Sequence, residues 1–100
     1  MSGEVFERLI ESIYKSPLDP KVKYEITEFL KGRYLKDNGE VDSMLSIIPF
    51  KAPEMGYREI MAEKIMKEIT PIFIKNNSTW NNLTVKIEET KKNIYESLGA

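Results

Sequence analysis

The chain has 100 residues, of which 41% are hydrophobic and 31% are charged, and its formal net charge is −1. This length and composition predict one folded domain and exclude a largely disordered chain. The balance of 15 basic against 16 acidic residues argues against a protein whose main task is to neutralise phosphates. Cysteine and histidine are both absent. Their absence excludes disulfides and thiolate metal sites, and it removes the usual general base and the commonest transition-metal ligand.

The start of the chain carries acidic residues and helical periodicity, whereas a signal peptide has a basic region followed by an apolar run. No apolar run approaches the roughly 18 residues that a membrane-spanning helix needs. We therefore expect a cytoplasmic protein that has no membrane association, no cofactor and no metal.

The first part of the chain predicts two amphipathic helices. Residues 4–15 repeat apolar side chains at helical spacing, and a Ser-Pro pair then ends the helix, because proline disfavours the α conformation in the residue before it. Asp19 and Pro20 provide an acidic N-cap and a proline at the first helical position. They predict a second helix over residues 20–36.

The second part of the chain predicts three more helices. Residues 40–48 form a short one, and residues 54–75 form the longest periodic stretch, which we expect to be the central helix of the domain. Pro71 should kink or end this helix within the preceding four residues, because its ring clashes with the turn before it. Residues 79–98 predict the last helix, and Gly99 follows it as expected for a residue after a helix end.

The predicted fold is therefore all-α, a compact four- to five-helix bundle with a long, proline-kinked central helix. The apolar stripe of the central helix begins at Ile60. Side chains in the middle of each stripe should be almost fully buried. The predicted core residues are Leu9, Ile26, Phe29, Ile65, Ile69 and Leu83.

Several glutamates lie close together on helical surfaces, as Glu59 and Glu63 do. Such pairs could perform acid–base chemistry or bind a metal. We favour solvated helix faces, because each pair has a basic residue one turn away that can form an ion pair worth about 0.2–0.5 kcal/mol. An enzyme is therefore not expected. The expected ion pairs are Lys21–Glu25, Glu63–Lys67 and Glu88–Lys92.

Basic residues on the second and last helices could form a nucleic-acid face, together with aromatic rings on which bases stack. The other interpretation is that cations near a helix C-terminus complement the helix dipole. Interleaved glutamates would also dilute a positive field. The candidate nucleic-acid contacts are Lys31, Arg33, Lys36, Lys86, Lys91 and Lys92.

The segment 47–57, IIPFKAPEMGY, is the most informative feature for function. It holds five large apolar residues where prolines limit helix formation, and exposed apolar residues in loops often mark binding sites. The other interpretation is a loop that folds over one end of the bundle, with Phe50 as a plug. The candidate partner-binding residues are Ile47, Phe50, Met55 and Tyr57.

The sequence thus predicts a small non-enzymatic helical protein-interaction module, such as an accessory subunit, an inhibitor or an immunity-type binder. Its expected ligand is a protein, and the sequence is also compatible with a homodimer. The alternative is a nucleic-acid-associated helical protein that uses Lys and Arg on the second or the last helix.

Overall fold

The structure, a computed structural model, describes residues 2–35, 56–76 and 80–99. The described part of the chain is all-α, as the sequence predicts. The Cα radius of gyration is 13.2 Å, close to the value of about 13 Å for a compact chain of about 100 residues. The predicted short helix at 40–48 lies outside the described residues, so the total of five helices stays a prediction.

The described residues form four helices, and each agrees with its predicted range to within three residues at either end. They are α1 at Ser2–Lys15, α2 at Pro20–Tyr34, α3 at Tyr57–Asn76 and α4 at Trp80–Ser97.

The turn between α1 and α2 forms as the Ser-Pro and Asp-Pro pairs predict. Asp19 is the N-cap of α2 and its carbonyl accepts from the Lys23 backbone N–H at 3.0 Å, although its side chain makes no capping hydrogen bond. Ser16 is buried, and its Oγ accepts a hydrogen bond from Asn93 Nδ2 of α4 at 3.1 Å. The turn is therefore tied to the last helix.

The start of α3 differs from the prediction because of Gly56. This glycine has a φ of +61°, a left-handed conformation that glycine adopts without steric cost. Its carbonyl accepts from the Ile60 backbone N–H at 3.2 Å, so Gly56 caps the helix. Hence α3 begins at Tyr57, three residues later than predicted.

Pro71 lies inside α3, which continues to Asn76. The prediction that the helix could end before this proline is wrong, and a kink there stays a prediction. Pro71 is exposed, so water can bond the carbonyl that the missing N–H leaves unpaired.

The helices form a ring in which α1 and α3 each pack against α2 and α4. The helix predicted to be central is thus one member of this ring. Side chains from all four helices fill the core. The predicted core residues that are buried are Leu9, Ile26, Ile65, Ile69 and Leu83.

Phe29, a predicted core residue, and Ile60, on the predicted apolar stripe of α3, are exposed against expectation. Phe29 is 38% exposed and Ile60 is 60% exposed. Successive residues lie roughly 100° apart around a helix, so Phe29 lies to one side of the buried line through Ile26, Leu30 and Tyr34. The buried stripe of α3 likewise begins one residue after Ile60.

Thr90 of α4 is fully buried, and its Oγ1 has no hydrogen-bond partner within the described part of the chain. A buried unpaired hydroxyl costs about 1–3 kcal/mol. Thr90→Val replaces it with a methyl group of similar size, so we expect the free energy of unfolding to rise by about 1 kcal/mol or more. Urea denaturation measures this change.

The matched control is Thr70→Val, because the Thr70 hydroxyl donates to the Met66 carbonyl at 2.6 Å. That variant should show no gain in stability. A Thr90→Val protein no more stable than the wild type would contradict the prediction.

Candidate interaction surface

The outward side of α3 carries two large exposed apolar side chains near opposite ends of the helix. Ile60 is 60% exposed and Ile74 is 56% exposed, whereas Ile65 and Ile69 of the same helix are buried. Ile60 lies in the first turn of α3, three residues after Tyr57, the last residue of the segment 47–57. Ile60 therefore continues the apolar character of the segment 47–57 into the first turn of α3.

A depression of about 390 Å³ lies beside Ile60 on the outer side of α3. Five residues of α3 contribute to its lining, and four of them are charged. They are Ile60, Glu63, Lys64, Lys67 and Glu68. We call this surface the Ile60 depression.

At the edge of this depression, the Glu68 carboxylate accepts three hydrogen bonds. Tyr34 of α2 donates its hydroxyl to Glu68 Oε1. Arg33 Nε and Lys64 Nζ lie 3.2 and 3.1 Å from Glu68 Oε2. Both cations also lie over the Tyr34 ring, at 5.1 and 5.6 Å from its centroid. We call these four residues the Glu68 cluster.

Two opposing influences determine the charge state of Glu68. Burial raises its pKa. Hydrogen bonds from Tyr34 and Lys64 and the positive charges of Lys64 and Arg33 lower the pKa, and together they outweigh the effect of burial. The pKa of Glu68 therefore lies below its ordinary value, and the carboxylate is charged at neutral pH.

One carboxylate in the Glu68 cluster faces two cations, Arg33 and Lys64. The cluster thus carries one excess positive charge, and the exposed Lys67 adds another about one helical turn from Lys64. Glu63, the other carboxylate that lines the depression, is paired with Lys91 of α4. With that pair counted as neutral, the charges around the Ile60 depression sum to a positive value, although the whole chain has a net charge of −1.

Three of the predicted nucleic-acid contacts are bonded to glutamates. Lys31 lies 3.3 Å from Glu28, and Lys91 lies 3.1 Å from Glu63. The third is Arg33 in the Glu68 cluster. Lys36 lies outside the described residues, and the other two candidates, Lys86 and Lys92, lie on α4.

The ion pairs differ from those that spacing along one helix predicts. Glu63 pairs with Lys91 across α3 and α4, and Glu25 pairs with Lys75 across α2 and α3 at 3.3 Å. Bundle packing brings these side chains together. Exposed pairs of this kind contribute about 0–1 kcal/mol. Within the described ranges, no group of three or more acidic side chains could hold a metal ion.

The Glu63–Lys91 ion pair also spans the groove between α3 and α4. It separates a depression of about 310 Å³ beside Ala62 and Tyr95 from one of about 200 Å³ beside Met66. With the Glu63–Lys91 pair counted as neutral, two glutamates and one lysine remain in the first depression and one of each in the second, so neither has an excess of positive charge.

Two arginines from other helices bind the carboxyl end of α4. Arg58 Nε donates to the Tyr95 carbonyl at 2.7 Å, and its guanidinium lies 3.9 Å from the centroid of the Tyr95 ring. Arg8 Nε of α1 donates to the Ser97 carbonyl at 3.1 Å. The last turn of α4 has no basic residue of its own. Because cations stabilise the negative end of a helix dipole, Arg8 and Arg58 provide this stabilisation from the neighbouring helices.

Gly99 lies against the Arg58 guanidinium. A Cβ at Gly99 would lie 2.5 Å from Cζ and Nη2 of Arg58, so a larger residue here would displace this flexible side chain. Gly99 does not adopt a left-handed conformation; among the described glycines, only Gly56 does so.

Three of the predicted partner-binding residues, Ile47, Phe50 and Met55, lie outside the described residues. Tyr57 begins α3, but its side chain is not among those described. Their role in binding stays a prediction.

Sequence reasoning missed the residues that form the Ile60 depression and the Glu68 cluster on α3. One signal was available: Ile60, Lys64 and Lys67 follow the spacing i, i+4, i+7, which places them on one helix face. The contacts with Arg33 and Tyr34 depend on how α2 packs against α3, and no local pattern encodes that packing.

No family model matches this chain, and neither a curated protein nor a solved structure is significantly similar to it. None of the described helices combines the length and the apolar character needed to cross a membrane. The surface features above are therefore the basis for a functional proposal.

Proposed function

We propose that this chain is a small non-enzymatic, cytoplasmic protein-interaction module, acting as an accessory subunit, an inhibitor or an immunity-type binder. Its binding surface comprises the segment 47–57 and the start of α3. The observation that supports this best is the exposure of Ile60, 60% accessible beside a depression lined by charged side chains. An accessible apolar side chain within a charged rim resembles the anchor of a protein interface.

The position of Ile60 connects the helix to the candidate residues of the segment. Tyr57 precedes Ile60 by three residues on α3, and residues at this spacing are neighbours on a helix surface. Phe50 and Met55 come shortly before them in the chain. The four residues together would provide a larger apolar contact than an isolated exposed isoleucine.

The nucleic-acid alternative has less support. Lys31, Arg33 and Lys91 each have a glutamate within 3.3 Å, so each would bring a negative charge towards a phosphate. A nucleic-acid site instead gains affinity from cations that neutralise phosphates.

Affinity capture with the intact chain, followed by titration of the captured protein, tests the proposal. Phe50→Ala, Tyr57→Ala and Ile60→Ser should each weaken binding by about 1–3 kcal/mol, because each removes an anchor. The melting temperature should stay nearly unchanged for Ile60→Ser, since exposed positions tolerate substitution. If the partner is a second copy of the chain, sedimentation should show that the same three variants dimerise more weakly than the wild type.

The matched control is Ile74→Ser, which changes an isoleucine of similar exposure at the other end of α3. It should bind like the wild type. Equal loss of binding in the Ile60 and Ile74 variants would contradict the proposed position of the surface. Loss of stability with normal binding in the Phe50 and Tyr57 variants would show that the segment is a plug.

A further inference from the structure

We infer, on the basis of the function proposed above, that the ligand of the Ile60 depression is an acidic segment of a partner protein. An apolar side chain of that segment contacts Ile60, and its carboxylates bind Lys64 and Lys67.

The spacing of the three residues fits such a ligand. Ile60, Lys64 and Lys67 span about 10 Å along one face of α3, and all three line the same depression. A bound helix repeats its side chains at the same intervals. One apolar anchor on Ile60 therefore places residues one and two turns away beside the two ammonium groups.

Of the two lysines, Lys64 is accessible and is already held in position. It exposes 32% of its side chain while it contacts Glu68, and Arg33 contacts the same carboxylate from α2. The Tyr34 hydroxyl fixes the other oxygen of this carboxylate. Side chains that are ordered before binding lose less conformational entropy when a ligand arrives.

The same surface is poorly suited to nucleic acid. Glu63 and Glu68 line the depression with the lysines. A phosphate chain carries a charge at every nucleotide and would meet these glutamates, whereas a peptide can place its carboxylates at the lysines alone. Tyr34 is only 1% exposed and lies beneath Arg33 and Lys64. Bases cannot stack on a ring that is covered in this way.

Selection from a displayed library of random peptides, each long enough for several helical turns, tests the inference with the intact chain as target. Enriched peptides should carry Asp or Glu beside a large apolar residue, and their affinity should fall as the salt concentration rises. Lys67→Glu should weaken their binding at least about tenfold, as expected when like charges replace an ion pair. Lys67→Arg should retain it.

Lys67 lies outside the Glu68 cluster, so its reversal leaves the contacts between α2 and α3 in place. The matched control is Lys92→Glu, an exposed lysine on α4, which should change the affinity less than about twofold. Lys64→Glu provides a second test, with circular dichroism to verify that the variant is folded.

The outcomes separate the two proposals. If the enriched peptides require Ile60 but bind Lys67→Glu as tightly as the wild type, the proposed interaction surface stands and the inference of an acidic ligand is overturned. Enrichment without acidic residues would lead to the same conclusion. A single-stranded oligonucleotide that binds more tightly than every peptide and requires Lys67 would overturn it in favour of nucleic acid. If no peptide is enriched, or none requires Ile60, both proposals fail.

Discussion

Ile69→Ala is expected to lower the free energy of unfolding by about 2–5 kcal/mol, the range for truncating a fully buried isoleucine. Ile69 exposes none of its surface and lies on the buried side of α3, where truncation leaves a cavity. Phe29→Ala should cost less than Ile69→Ala, although its side chain is larger, because Phe29 is 38% exposed. Urea denaturation of both variants under one set of conditions measures the difference.

Ile74→Ala is the control for the chemical change itself, because it makes the same substitution on the same helix at an exposed position. It removes the same atoms as Ile69→Ala from a side chain that is 56% exposed, so its effect should stay within about 0.5 kcal/mol. Similar losses for Ile69 and Ile74 would show that the assigned core face of α3 is wrong.

Glu68→Gln is expected to lower the free energy of unfolding by about 1–3 kcal/mol, the cost of leaving buried or charged hydrogen-bonding groups without their partner. The amide has almost the same size as the carboxylate. It carries no charge for Arg33 and Lys64, and it keeps only one of the two acceptor oxygens. Thermal or urea unfolding at neutral pH measures the loss.

The pH dependence of this difference follows from the direction of the pKa shift. The pKa of Glu68 in the folded chain is lower than its ordinary value of 4.5, so the unfolded chain binds the proton more readily. The stabilisation is therefore fully present above the ordinary value and is lost as the pH falls through the folded-state pKa. The gap between wild type and Glu68→Gln should be constant at about pH 6–7 and shrink below about pH 4.5.

A gap that widens as the pH falls would contradict this account of Glu68. Tyr34→Phe provides an independent comparison, because it removes one hydrogen bond from the carboxylate and keeps both cations. It should reduce the pH dependence without abolishing it.

Most of the helical framework was predictable because its signals are local. The proline at the start of α2 and the apolar periodicity of α1 and α4 depend on neighbouring residues alone. The start of α3 was misplaced because the left-handed conformation of Gly56 decides it, and a glycine in sequence does not reveal its φ angle. Phe29 was misplaced because the neighbours of α2 select which side of its apolar face is covered.

The candidate surface was less predictable than the fold. Tyr34 and Glu68 are separated by 34 residues, and only the packing of α2 on α3 brings them together. Glu63 likewise forms its ion pair with Lys91 and not with Lys67, because α4 packs against α3. Periodicity placed Ile60 on the apolar stripe, but the residue is 60% exposed, because a rotation of a few tens of degrees about the helix axis decides between core and solvent.

The two arginines that bind the carboxyl end of α4 link the stability of this helix to the rest of the bundle. The donor and the acceptor are 89 residues apart for Arg8 and 37 residues apart for Arg58. Contacts so distant in sequence require closure of long loops, whose entropic cost precedes any gain from the contact. The last turn of α4 therefore gains these two hydrogen bonds only when the first and third helices have docked, so its stability depends on the assembled bundle.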